Sequence, residues 1–267
     1  MGRTFASADW HGCGSAARKV FEYLQPDDKL YFLGDAIDRG YDGYEIMVDL
    51  LTDNRVTYIR GNHEQLMANA IPNILNGYRQ GASSWLDMNG GEATWGCIET
   101  LTDTQLMGLV RVIGTKMSSV AIYENKNGQK IILEHAGYSP FDRYASHRRH
   151  DPFWDRDHFY DVWCDHDNSE AERTYIVHGH TPVQYLDFHY GYKGQPKLTK
   201  ERMKLQRKWN LGEDMGDYVP SIIRYCDGHK FDIDMCTIVS HRVALLDLDT
   251  FEEIYFDCEP YWWEVIE

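Results

Sequence analysis

Five apolar runs of this chain each stop on a residue with a metal-binding side chain. FASAD-WH ends on Asp9 and His11, LYFLGD on Asp35, VTYIRGN on Asn62, IILEH on His135 and YIVHGH on His180. Asp9 and His11 are two apart, so on an extended segment both side chains leave one face and can grip one ion. In GDAIDRG, Asp35 is a carboxylate able to bridge two ions, with glycines on both sides to let the backbone turn around them. Carboxylate, amide oxygen and imidazole together suit Mn²⁺, Fe or Zn better than Ca²⁺ or an all-thiolate site. Two divalent ions roughly 3.5–4 Å apart would acidify a bridging water to hydroxide and neutralise phosphoryl oxygens as it attacks.

Such residues need strands to carry them to one place. Thr4 to Ala8, Leu30 to Leu33 and Val56 to Ile59 read as short strands. Ser15 to Leu24 and Tyr44 to Leu51 read as helices between them, and a third helix runs from His63 to near Pro72. Asp9, Asp35 and Asn62 then fall 26 and 27 residues apart, about one βα repeat, each where a strand meets its loop. Sites in α/β sheets form there. Trp85 to Gly91 is turn-rich and Thr102 to Val112 reads as a helix. Ser119 to Tyr123 and Lys130 to Glu134 read as a hairpin closed at Asn125–Gly128, Thr174 to Val177 as a buried strand, and Val243 to Leu248 with Glu253 to Phe256 as a closing hairpin. Residues 138–173 show no clear period.

Composition narrows the classes. The chain has 267 residues, 42 acidic and 27 basic, for a net charge of −15. That balance disfavours nucleic acid or an anionic membrane as partner. No run of about 18 apolar residues and no signal-peptide core occurs, which leads us to expect a soluble cytoplasmic protein. The six cysteines form no C-x-x-C pair, so free thiols are expected, Cys13 among them as a structural one. We expect one domain over residues 1–267, with a divergent basic insertion around residues 189–230.

DWHG, GDAIDRG, RGNHE, HAG and GHTP, in this order, resemble the blocks of the PPP branch of calcineurin-like metallophosphoesterases, in particular the bacterial and phage lambda phosphatase group. The likeness implies an α/β metallophosphoesterase fold, a central β-sandwich flanked by helices, with the metal site at strand C-terminal ends. It implies Asp9, His11, Asp35 and His180 on one metal ion and Asp35, Asn62 and His135 on the other, two divalent ions in all, Mn²⁺ foremost with Fe or Zn as alternatives. It also implies His63 as the acid that protonates the leaving oxygen, kept basic by Asp38, with Arg39, Arg156 and Asn62 on the substrate phosphate and Arg60 behind them. The implied reaction is hydrolysis of phosphomonoesters by direct attack of a metal-bridging hydroxide. Phosphoserine/phosphothreonine protein is the first substrate class, and a small phosphate ester is also accommodated. Hydrolysis of diadenosine tetraphosphate or a related nucleotide is the enzymatic alternative, and a non-catalytic metal-binding scaffold the other.

Three departures mark this chain. Ala8 stands where relatives carry glycine, Ile233–Arg242 (IDMCTIVSHR) replaces an IDTGA block, and residues 189–230 have no counterpart. Glu64 reads as a first-turn helix acid facing the dipole, His178 as packing near the site, and Trp85, Trp95, Trp262 and Trp263 as core and edge packing. The 147–150 cluster, with Arg143 nearby, reads as a solvated loop able to steer phosphate. Residues 193–208 carry seven basic side chains and one acid. They read either as a flap drawing an acidic substrate to the metals or as a plain solvated face.

Overall fold

Alternation along the strands lays out the architecture, seen in a computed structural model that describes residues 2–138, 150–156, 169–188, 200–211, 213 and 215–259. Three βα units come first: β1 (Thr4–Ser7), α1 (Gly14–Tyr23), β2 (Lys29–Phe32), α2 (Gly43–Thr52), β3 (Val56–Tyr58) and α3 (Asn62–Leu75). After a 3-10 turn at Arg79–Ala82 come α4 (Ser83–Leu86), α5 (Gly91–Ile98) and α6 (Asp103–Lys116). Then follow the hairpin β4 (Val120–Glu124) and β5 (Lys130–Glu134), α7 (Ser169–Glu172), β6 (Thr174–His178), α8 (Val183–Phe188) and α9 (Lys200–Leu211). The hairpin β7 (Ile223–Tyr225) and β8 (Lys230–Asp232), α10 (Thr237–Ser240), and the hairpin β9 (Arg242–Asp247) and β10 (Glu253–Asp257) complete the described elements.

The strands make two five-stranded sheets, ordered β10-β9-β1-β2-β3 and β4-β5-β6-β8-β7. Within the first, β1, β2 and β3 are parallel, with Ala6 opposite Tyr31 and Tyr31 opposite Thr57. Ala6, Leu33, Ile131, Leu133, Val177, Phe231 and Leu246 from both sheets share one buried cluster, so the inner faces form a sandwich. The neighbours one position away point outward: Phe5, Leu30, Phe32 and Val243 meet the helices of the first sheet, while Ile132 and Ile176 meet Leu186 of α8. A sandwich with helices on its outer faces is the expected fold, and its parallel strands end together on one side.

Three details differ from expectation. Helix α3 continues through Pro72 to Leu75. Pro72 lies in the last turn, where it forfeits one backbone bond, and the wholly buried Ile71 with Ile74 holds that turn to the core. The turn-rich stretch around residues 85–91 holds the short helix α4 and the start of α5. Inside the divergent range 189–230, β7 forms an edge strand of the second sheet. Of the basic segment, Lys200, Lys204 and Lys208 lie on α9, whereas Lys193 and Lys197 fall outside the described residues, as do Arg143, residues 147–149, Trp262 and Trp263.

Candidate metal centre

Site residues adopt backbone conformations that side chains usually avoid. Asp9, His11, Asp35, Asp38, Arg39 and His180 all have φ between 41° and 72°, the left-handed region that disfavours residues with a Cβ. Hydrogen bonds fix each of them. Asp9 N donates to Gly34 O and His11 N to Asp35 O, both at 3.0 Å, and Arg39 N to Gly90 O at 3.0 Å. Asp38 N donates to Thr94 Oγ1 at 2.9 Å and His180 N to Asp9 Oδ2 at 3.1 Å. Glycine is required where the loops touch: a Cβ on Gly61 would lie 2.1 Å from Asp35 Oδ1, and one on Gly179 2.0 Å from Asp9 Oδ2.

Glu64 does more than face its helix. Fully buried, it accepts from the backbone N–H groups of Asp35, Ala36 and Gly61 at 2.9 Å each and from Tyr58 Oη at 3.0 Å. It ties the GDAIDRG loop to the start of α3, and its burial raises its own pKa. The RGNHE block shows this acid and, in Gly61, one of its partners, but Asp35 and Ala36 lie in a distant loop.

The imidazoles are oriented by carbonyls. His11 Nδ1 donates to Ile37 O at 3.1 Å and His135 Nδ1 to Leu33 O at 2.7 Å. In the neutral ring this leaves each Nε2 lone pair facing inward. His135 Nε2 lies 2.7 Å from Asn62 Oδ1 and 3.5 Å from Asp35 Oδ2, and His11 Nε2 is 3.9 Å from the same carboxylate oxygen. His180 Nδ1 lies 3.0 Å from Asn62 Oδ1, and its Nε2 is buried with no hydrogen-bond partner among the described residues. Burial, with nearby positive charge second, keeps His11 and His180 well below the usual imidazole range and so neutral, the state that binds metal. Burial, together with Asp234 and Asp35, pushes Asp9 well above the usual carboxylate range, a cost that a cation would relieve.

Two groups of donor atoms lie within 4.8 Å of one another, His11–Asp35–His63 and Asp35–His135–His180, and Asp35 is common to both. The inward lone pair of His135, facing carboxylate and amide oxygens without an intervening proton, fits a divalent cation. The donor atoms group differently from the expected allotment: His180 falls with Asp35 and His135 and lies near Asn62, its ring 5.0 Å from that of His135 centroid to centroid, while its backbone N–H donates to Asp9 Oδ2.

His63 and Asp38 form a buried pair, Nδ1 to Oδ2 2.7 Å. Asp38 also accepts from Trp85 Nε1 at 2.9 Å and from Thr94 Oγ1 at 2.7 Å, so Trp85 is more than packing. Burial opposes a charge on His63, but Asp35 and Asp38 outweigh it and hold the imidazole above its ordinary range. Arg39 lies 2.9 Å from His11 Nε2 and 3.3 Å from His63 Nε2 through its two Nη atoms. A cavity of about 140 Å³ opens over these groups, and Arg156, Asn89, Trp154, Asp234 and Cys236 also border it.

Asp232 and Asp234 were passed over at the level of sequence. Both are buried beside the centre; burial drives Asp232 far above the carboxylate range and Asp234 up to about 6. Their D-x-D spacing at the end of β8 repeats the Asp9-x-His11 pattern and was the available signal. Cys236 takes a left-handed conformation at the mouth, its thiol pushed up to about 12 by burial and Asp234. Arg60 packs its guanidinium 5.0 Å over the Phe153 ring. His178 bonds Tyr225 Oη at 2.7 Å, and burial drops it to about 3, in keeping with packing. Cys13, Cys226 and Cys258 are buried thiols outside any disulfide among the described residues, as are the less buried Cys97 and Cys236.

Residues 2–207 match the family model described as calcineurin-like phosphoesterase. The chain belongs to that family. Among solved structures similar to it are a candidate diadenosine tetraphosphatase (12% identity, TM-score 0.53, covering 97% of this chain and 94% of the other) and a cold-active protein tyrosine phosphatase (15% identity, TM-score 0.51, covering 96% and 76%). At such identities they share the fold alone. As a calcineurin-like phosphoesterase, the chain is a metal-dependent hydrolase of phosphate esters whose His and Asp groups can hold the metal.

Proposed function

We propose that this calcineurin-like phosphoesterase is a two-metal phosphomonoesterase acting on phosphoserine and phosphothreonine in proteins. The observation that carries the reading is the sharing of Asp35 by two donor groups directly under a cavity flanked by Arg39, Arg156 and His63. Asp9, His11 and Asp35 would hold one ion and Asp35, Asn62, His135 and His180 the other, with Mn²⁺ the expected metal. Bound there, the ions would supply an acidified water and charge neutralisation at the phosphoryl group.

The chain supplies the rest. Arg39 and Arg156 carry guanidinium forks for the phosphate oxygens. His63, whose imidazole Asp35 and Asp38 hold above its ordinary range against the opposition of burial, would donate a proton to the departing oxygen. Asp38, immobilised by Trp85 and Thr94, fixes the direction of that transfer.

A cavity of about 140 Å³ takes a phosphate group but not a nucleoside, since pockets that enclose small organic ligands run to about 300–1,000 Å³. The remainder of the substrate then lies across the rim, where Trp154 is 44% exposed. A protein surface fits that arrangement. The half-exposed Trp154 indole could instead stack on a nucleobase, which keeps diadenosine tetraphosphate as the second reading. Free thiols fit a reducing compartment, and among the described residues no helix is long and apolar enough to cross a membrane, so we place the enzyme in the cytoplasm. Turnover of a phosphoserine peptide against diadenosine tetraphosphate, with Mn²⁺, tests the reading. A larger kcat/KM for the peptide is expected, and a larger value for the dinucleotide overturns the substrate class.

A further inference from the structure

The segment Asp151–Arg156 belongs to neither sheet, yet it brings Trp154 and Arg156 to the cavity. An Asp151 turn shapes it: Phe153 N donates to Asp151 Oδ1 at 3.0 Å and Asp155 N to Asp151 O at 3.2 Å. Three contacts fasten this strap to the body. Ala136 N donates to Pro152 O at 3.0 Å, Arg60 covers the Phe153 ring, and His150 pairs with two carboxylates at once, Glu134 Oε1 at 2.8 Å and Asp155 Oδ2 at 3.6 Å.

The last contact is of a different kind from the others. Glu134 closes β5 one residue before His135 and is only 5% exposed, and its Oε2 has no hydrogen-bond partner among the described residues. A buried carboxylate so placed depends on its counter-charge. Asp155 and Glu134 together push the His150 imidazole up to about 9, so it is an imidazolium at neutral pH. The Tyr138 ring, 4.8 Å away, covers it.

We infer that His150 is a positioning residue: by joining Glu134 at the end of β5 to Asp155, the immediate neighbour of Arg156, it sets the Arg156 guanidinium at the cavity mouth and so governs affinity for the substrate phosphate. This rests on the phosphate-binding role proposed for Arg156. Glu134 serves two neighbours, since the strand end that presents His135 to the metal centre also anchors the strap. By sequence His150 falls in a solvated basic cluster; its partners assign it to the strap.

The test compares His150→Ala, Asp155→Asn, Arg156→Ala and the His150→Ala/Arg156→Ala double variant, each loaded with Mn²⁺ and assayed for metal content, aryl phosphate kinetics and inhibition by inorganic phosphate. For His150→Ala, KM and the phosphate inhibition constant should rise together roughly tenfold, as when one charge-assisted contact is lost, with kcat and metal content little changed. In the double variant His150→Ala should add nothing to Arg156→Ala. Additive effects, or a loss of metal and kcat at constant KM, would mean that His150 merely supports His135 and would overturn the inference. Should His150→Ala fail to fold, Asp155→Asn, which alters only the strap end of the link, must show the same rise in KM; an unchanged KM there overturns it equally. An effect of Arg156→Ala beside a silent His150→Ala sinks this inference alone, while a silent Arg156→Ala removes the phosphate-binding role and the inference with it.

Discussion

The two sides of the metal centre are built by different means. On the side of β1, β2 and β3, Asp9, His11, Asp35 and Asp38 sit in left-handed turns laced together by backbone hydrogen bonds and by the single carboxylate of Glu64. On the side of β5, β6 and β8, the strap with Trp154 and Arg156 is held chiefly by side chains: His150 between Glu134 and Asp155, and Arg60 over Phe153. The first construction fixes the proposed ligands through the backbone itself. The second fastens the surface segment proposed to meet the substrate, where movement would change affinity and leave the proposed ligands in place. Variants on the first side should therefore abolish metal binding and chemistry, and variants on the second should change affinity.

The largest effect is expected at Asp35, which both donor groups share. Asp35→Asn should lower kcat by roughly 10³-fold or more and reduce bound metal, read by elemental analysis, since each ion supplies several kcal/mol of transition-state stabilisation. Next is His63→Asn: kcat for an alkyl phosphate should fall roughly 10²–10⁴-fold with metal content retained, and clearly less for an aryl phosphate with a good leaving group. Equal losses on both substrates would show that His63 organises the site and does not deliver the proton.

The same comparison explains what could be read from sequence. Asp9, His11, Asp35, Asn62, His135 and His180 were legible because each ends a short apolar strand, and a strand tip is written in contiguous residues. The hairpins β4–β5 and β9–β10 were legible for the same reason, their strands and turns being local. Contacts between distant segments were not legible. Nothing near Glu64 predicts that its carboxylate would also take the backbone N–H groups of Asp35 and Ala36 in the GDAIDRG loop, and nothing near His150 predicts Glu134 as its partner. Pro72 misled because a local rule about proline yields to tertiary burial in a last helical turn. Asp234 was missed although Ile233–Asp234 keeps the first two residues of the IDTGA block and its spacing from Asp232 carried a signal.

Smaller effects sharpen the contrast. Glu64→Gln keeps the shape but turns an amide NH₂ towards backbone donors, and should cost about 1–3 kcal/mol in stability, measured by urea unfolding. His150 gives a dependence on pH. Its folded pKa, about 9, lies above the unfolded value, so the stabilisation is complete below pH about 6.5 and is lost as pH rises through about 9. Wild type should lose a few degrees of Tm across that window in excess of any loss shown by His150→Gln; parallel curves would remove the charged pair from the account. The smallest effect is expected on α9. Lys200, Lys204 and Lys208 do not border the cavity, and their exchange for Gln should change kcat/KM on a small aryl phosphate by less than about twofold, with any effect on an acidic phosphopeptide fading as salt shortens the range of attraction to about 8 Å.

The central claim, that one carboxylate organises two divalent ions for phosphate-ester hydrolysis, is tested most directly by stripping the wild-type protein with a chelator and titrating Mn²⁺ back while counting bound ions and following aryl phosphate turnover. The account predicts no turnover in excess chelator and its return as two ions bind per chain, with both binding events weakened in Asp35→Asn. Full turnover in excess chelator, or undiminished binding of two ions by Asp35→Asn, would contradict it.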